Sequence, residues 1–248
     1  MKKLLSIMLK SAFLSALLFT NYSSKAKAPI NHSNAAKYYY VLAPSGLNLR
    51  QTASTSSKKI ARLPYGARVT YLAGVPSKMV MVDNIKGGMA KVSYQGKVGY
   101  VFEGYLSKFV APKKYTEVKK YAQILRKSGI RVMTESGNKD YDGYQQFNNA
   151  IHIPTQSWTE AFIVAKQLFG IPVKLNFPEG GSLTKEKIDN PDKKSYAWTD
   201  QMVVNRSSNG RLKSIEYNYR AEGGGSYVVI MRSKNMNGFI LAQNQVAD

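Results

Sequence analysis

The sequence predicts a small all-β barrel followed by an α+β domain in which two helices pack on an antiparallel meander sheet. Three observations carry this. Between 38 and 110, short runs of alternating apolar residues are cut by Gly, Pro and Ser turns. Between 115 and 169, two stretches change to helical spacing. From 198 to 243, four period-two runs follow one another with short polar links.

In the first region Leu47, Leu49, Val92, Tyr94, Val98 and Tyr100 occupy alternating positions, the period of a half-buried strand. Gln95-Gly96 between two such runs reads as a tight hairpin, because Gly takes positive φ without a Cβ clash. Pro64-Tyr65-Gly66 marks a turn before Val69-Thr70-Tyr71-Leu72. Short strands at this spacing suit a small closed barrel.

The motifs come in a specific order: Tyr40-Val41-Leu42-Ala43, then Leu47-Asn48-Leu49-Arg50, then a small polar loop at 52–57. Ile60-Ala61-Arg62-Leu63 and Gly66-Ala67-Arg68-Val69 follow, and then Lys91-Val92-Ser93-Tyr94-Gln95-Gly96-Lys97-Val98-Gly99-Tyr100-Val101. This run resembles the bacterial SH3-like (SH3b) domain. The resemblance implies an SH3-like barrel in an exported module that binds cell-wall material or holds an attached domain near it. By position in the resemblance and by chemistry, the contact residues it implies are Arg50, Tyr65, Arg68, Tyr94 and Tyr100; packing of the barrel is their other role. Two departures are local. Thr52-Ala53 stands where family sequences often carry Gly-Pro, and Met89 where they often carry Trp.

After the charged junction Ala111-Pro112-Lys113-Lys114, residues 115–127 read as a helix with Val118, Tyr121, Ala122 and Leu125 on one side and Ser128-Gly129 as its stop. Ile130-Arg131-Val132-Met133 reads as a strand, 136–143 as a polar turn-rich stretch and 144–153 as a further strand. Ser157-Trp158-Thr159-Glu160 has the form of a capping box, in which the serine accepts from the third helical N–H and the glutamate reaches back. Trp158, Ala161, Phe162, Ala165, Leu168 and Phe169 then mark the buried face of a second helix. Residues 173–177 read as a strand and 178–195 as a long polar loop. The runs 198–204, 212–219, 226–231 and 239–243, linked by Gly- and Asn-rich turns, make the meander. This second region is not recognised as a member of a known family.

The first residues read as a signal peptide. Lys2, Lys3 and Lys10 flank an apolar run at 11–19, and Ser24-Lys25-Ala26 places small residues where a signal peptidase reads. That run is shorter than the about 20 apolar residues a membrane span needs. The expected organisation is a signal peptide at 1–26, a flexible segment at 27–37, the barrel at 38–110 and the α+β domain at 113–248. The expected location is the periplasm or the cell surface, in soluble form.

The 248 residues carry 36 Lys and Arg against 15 Asp and Glu, a net charge of +21, and no cysteine. A thiol nucleophile and a Cys-based zinc site are thereby excluded. From 27 to 111 there are 12 Lys and Arg against Asp83 and Glu103. Such a field draws polyanions, and an exported protein meets envelope polymers before nucleic acid.

Catalytic chemistry is sparse. His32 and His152 are the only histidines, too far apart in the chain to suggest a metal cluster, so no metal or cofactor is expected. His152, between Ile151 and Ile153, could serve as a general base or as a packed strand residue. Asp140, Asp142, Glu179, Asp189 and Asp192 fall in turn-like segments, and a pair of them could support glycoside hydrolysis. Tyr217 and Tyr219 share a strand face that is either core or contact surface.

The leading reading is a non-enzymatic envelope protein whose barrel engages peptidoglycan or another anionic polymer and whose second domain binds another envelope partner. A wall-active hydrolase using His152 or a carboxylate pair is the alternative. Polyanion or nucleic-acid binding through the basic barrel is the third reading, and the signal peptide argues against it.

Overall fold

The computed structural model describes residues 37–141, 144–234 and 236–246. The segment expected as a signal peptide, His32 and Asp142 lie outside them. The described residues build two seven-stranded antiparallel sheets and two α-helices. The first sheet contains β1 (Lys37–Val41), β2 (Leu47–Arg50), β3 (Lys59–Leu63) and β4 (Arg68–Val82). It continues with β5 (Ile85–Tyr94), β6 (Lys97–Phe102) and the short β7 (Leu106–Ser107), in the order β3-β2-β6-β5-β4-β1-β7.

Turn chemistry sets the register of this sheet. Gln95 and Gly96 have φ of 48° and 75°, the left-handed pair of a two-residue hairpin loop whose twist matches the flanking strands. The loop places Tyr94 opposite Lys97, so even positions of β5 share a face with odd positions of β6. The core face is therefore Ala90 and Val92 with Gly99 and Val101, all buried. Val98, expected among the inward alternating residues, is 48% exposed on the other face. Gly99 lets β6 and β2 approach closely: a Cβ there would stand 2.7 Å from the Arg50 carbonyl oxygen and 2.9 Å from Ile60 Cδ1. A second two-residue turn, Asp83-Asn84 with φ of 51° and 60°, joins β4 to β5.

The second region follows with α1 (Val118–Lys127), β8 (Met133–Tyr141), β9 (Tyr144–Ile153) and α2 (Trp158–Leu168). Then come β10 (Lys185–Asp189), β11 (Ala197–Arg206), β12 (Leu212–Ala221), β13 (Gly224–Arg232) and β14 (Phe239–Val246). The sheet order is β10-β11-β12-β13-β14-β9-β8, so the consecutive meander forms the centre. Gly129 ends α1 at φ 80°, and α1 contacts β8 and β9 while α2 contacts β13 and β14. Tyr217 belongs to the interior: it is 6% exposed and its hydroxyl donates to Asp200 Oδ1 at 3.0 Å.

Three segments differ from expectation. The stretch 130–132 is not strand; the strand starts at Met133 and runs through the polar residues to Tyr141. The loop expected at 178–195 contains β10, which pairs along β11 from Lys185–Asn205 to Asp189–Gln201. Both are edge strands, where polar and charged sequences are tolerated and hide the period-two signal. Residues 173–177, expected as a strand, are irregular. Leu175 and Phe177 insert into the core, and Lys166 Nζ donates to the carbonyls of Val173 and Leu175, at 2.7 Å each, in place of a neighbouring strand.

The larger of the two hydrophobic clusters among the described residues runs from Leu49, Leu63 and Val101 to Tyr121, Phe162 and Leu241. All described residues belong to one compact unit. The capping box forms by half: Ser157 Oγ accepts from Glu160 N at 3.1 Å. The Glu160 carboxylate turns instead to Ser107 Oγ and Thr155 Oγ1, at 2.5 Å each. Thr155 Oγ1 in turn accepts from Ser157 N at 3.1 Å, supplying the N–H partner that the glutamate was expected to be.

Candidate functional site

The five residues implied as contacts do not form one group. Arg50 and Tyr100 stand side by side in register on β2 and β6, and Tyr100 faces Lys91 on its other side. Arg50 also pairs with Lys59, so Lys59, Arg50, Tyr100 and Lys91 make a transverse row over four strands. Among the described residues none of the three cations is in an ion pair. Tyr94 is on the opposite face, on the side of Val92. Arg68 is exposed at the start of β4, its guanidinium 4.3 Å from the Tyr38 ring centroid. Tyr65 donates to the Pro112 carbonyl at 2.5 Å, and burial pushes its hydroxyl pKa well up.

Arg50 Nη1 donates to the Ser57 carbonyl at 2.6 Å and so holds the polar 51–58 loop against β2. Beside it lies a cavity of 260 Å³, lined among others by Asn48, Arg50, Asp83, Met89, Phe102 and Tyr105. Tyr105 donates to Asp83 Oδ2 at 2.7 Å, and its pKa is raised by burial first and by that bond second. Phe102 packs edge-on against Tyr105 with centroids 6.1 Å apart. The cavity lining thus combines a guanidinium, a carboxylate and apolar side chains. Asp83 and Tyr105 were not among the sequence candidates. Their only local sign was Asp83-Asn84 between two apolar runs, a hairpin signal.

A larger cleft of 690 Å³ lies between the two regions. Tyr39, Lys86 and Lys108 line it from the first and Arg131, Gln156 and Thr159 from the second. Its two carboxylates are engaged: Glu103 accepts from Gly88 N at 2.8 Å and Glu160 holds Ser107 and Thr155.

His152 is fully buried on β9, with Nε2 3.2 Å from Glu135 Oε1 and Nδ1 3.1 Å from Ser233 Oγ. A hydrolytic triad sets serine at Nε2 and the acid at Nδ1, the reverse of this arrangement. With its ring enclosed, His152 ties β8 and the β13–β14 connection to β9. Asp192 pairs with Lys174 at 3.0 Å, while Asp189 and Glu179 are exposed, and none of these three lines a cavity described here. Among the described residues no group of three His, Cys, Asp or Glu side chains is placed to hold a metal ion. No helix among them is long and apolar enough to cross a membrane.

A family model, the bacterial SH3 domain, matches residues 45–107. The match covers the first sheet, apart from β1, from the turn before β2 to the end of β7, and includes the Arg50–Tyr100 pair and every residue lining the 260 Å³ cavity except Ala43. Neither the curated proteins nor the solved structures compared with the chain gave a match.

Proposed function

We propose that this chain is an exported, non-enzymatic envelope protein whose SH3-like barrel engages peptidoglycan and whose second domain meets another envelope partner. The family match at 45–107 carries the reading, since bacterial SH3 domains are wall-associated modules. The Lys59–Arg50–Tyr100–Lys91 row supports it: three cations attract the carboxylates of wall peptides, and the tyrosine supplies an apolar face with a hydrogen-bonding hydroxyl. In the adjoining cavity Arg50 and Asp83 would meet opposite charges of one peptide segment.

Co-sedimentation of the full chain with purified peptidoglycan across a salt series tests this. Retention at about 0.3 M salt, where surface attraction is largely screened, is the expected result. Arg50→Ala/Tyr100→Ala should abolish it and Tyr94→Ala should leave it. Absence of retention, or retention unchanged in the double variant, would remove the reading.

A further inference from the structure

The second sheet has one face on the core and the helices. Its other face divides into two zones. One is an apolar cluster of Phe147, Ala150, Val229, Met231, Ile240 and Ala242, all buried. The other is an open polar groove of 460 Å³ over β10 to β14. Nothing in the proposed wall-binding role uses this groove.

Register explains its chemistry. Gln201, Asn218, Tyr227 and Asn244 are cross-strand neighbours, forming a straight row over β11, β12, β13 and β14. All four line the groove, together with Lys185, Lys187 and Arg220. Three carboxamides in line present alternating donors and acceptors at neighbouring atoms, the complement of adjacent hydroxyls on a sugar ring. The Tyr227 ring is stacked on Phe147 with centroids 5.6 Å apart and an interplanar angle of 14°, which holds it in one orientation. A fixed aromatic beside hydrogen-bonding amides reads a pyranose at low entropic cost.

The charge selects among sugars. Glu216 is the sole acid among the described lining residues, and it is engaged by Asn205 Nδ2 at 2.5 Å and Ser214 Oγ at 3.3 Å. Lys185, Lys187 and Arg220 form no ion pair among the described residues. The groove volume falls within the range of about 300–1,000 Å³ typical of small-ligand sites. We infer that the open face of the second sheet is a binding site for an acidic oligosaccharide, with the amide row on its hydroxyls and the cations on its carboxylates. The inference stands without the barrel's ligand.

The test is NMR titration of the full chain with three probes: a tetrasaccharide alternating glucuronate and N-acetylglucosamine, neutral chitotetraose, and inorganic polyphosphate. The acidic tetrasaccharide should shift the side-chain amide signals of Gln201, Asn218 and Asn244 and bind at least about tenfold tighter than the other two, a difference of about 1.4 kcal/mol. Asn218→Ala/Asn244→Ala should abolish those shifts while keeping the native spectrum elsewhere. Lys187→Ala/Arg220→Ala should erase the preference over chitotetraose. Arg50→Ala/Tyr100→Ala should change nothing here, which separates this site from the barrel's. No amide shift, equal binding of polyphosphate, or binding that survives loss of the amides would overturn the inference.

Discussion

Glu160 Oε1 accepts the Ser107 hydroxyl at 2.5 Å, joining the first turn of α2 to the last strand of the first sheet. Lys108 N reaches the same oxygen at 3.3 Å, and Ser107, fully buried, also accepts from Phe109 N at 2.9 Å. The contact explains how a helix cap became a bond between regions.

A hydrogen bond to an ionised group is worth about 1.5–3 kcal/mol net. Ser107→Ala and Glu160→Gln should each destabilise the chain by about that much. In urea melts the double variant should lose clearly less than the two singles together, because both remove the same bond. Full additivity would show that the bond adds nothing to stability.

Arg206 is 4% exposed on β11 and anchors the edge of the second sheet. Its Nη1 lies 2.7 Å from Glu186 Oε2 on β10, its Nη2 donates to the Pro178 carbonyl at 3.2 Å, and a Cβ on Gly181 would stand 2.7 Å from its Cζ. Removing one partner of a buried pair leaves a desolvated charge, at a cost of about 3–5 kcal/mol. The half-buried Glu186 puts Glu186→Ala at the lower end of that range. Arg206→Met/Glu186→Leu should be milder, and hydrogen exchange should show β10 amides losing protection in Glu186→Ala alone. Equal losses in the two variants would refute the pairing argument.

Alkaline stability follows from four tyrosines. Burial raises the hydroxyl pKa of Tyr65, Tyr105, Tyr121 and Tyr217 above the ordinary 10.0. Above pH 10.0 the unfolded chain releases these protons while the folded chain keeps them, so stability present below that pH falls as pH rises. Lys166 acts in the opposite sense. Burial pulls it down to about 8 from 10.5, so between those values the unfolded lysine holds a proton that the folded one has lost, and stability rises. Urea midpoints from pH 7 to 11 should therefore rise and then fall. Lys166→Met should flatten the rise, and Tyr65→Phe/Tyr217→Phe should shift the fall upward; a monotonic profile would contradict both.

The central strands and α2 were legible because their signals are strong and local. The four meander runs at 198–243 became β11 to β14, and Ser157 caps α2 through Glu160 N. The edges were not legible. β10, with the sequence Lys185-Glu186-Lys187-Ile188-Asp189, has one apolar residue and takes strand form because β11 offers it a ladder. The candidate contacts were legible as residue types and not as a group, since the sequence lists Tyr94 and Tyr100 alike and pairing sets them on opposite faces.

From the sequence alone came the SH3-like stretch, the turn at Gln95-Gly96, the alternation of the meander and the basic surface, all properties of residues a few positions apart. Tertiary structure alone decided the Lys59–Arg50–Tyr100–Lys91 row, the amide row from Gln201 to Asn244, the bond from Glu160 to Ser107 and the burial of His152. The reason is physical: strand pairing and core closure bring together residues tens of positions apart, and a shift of one position in the register of one strand would turn that strand's members of these rows to the other face.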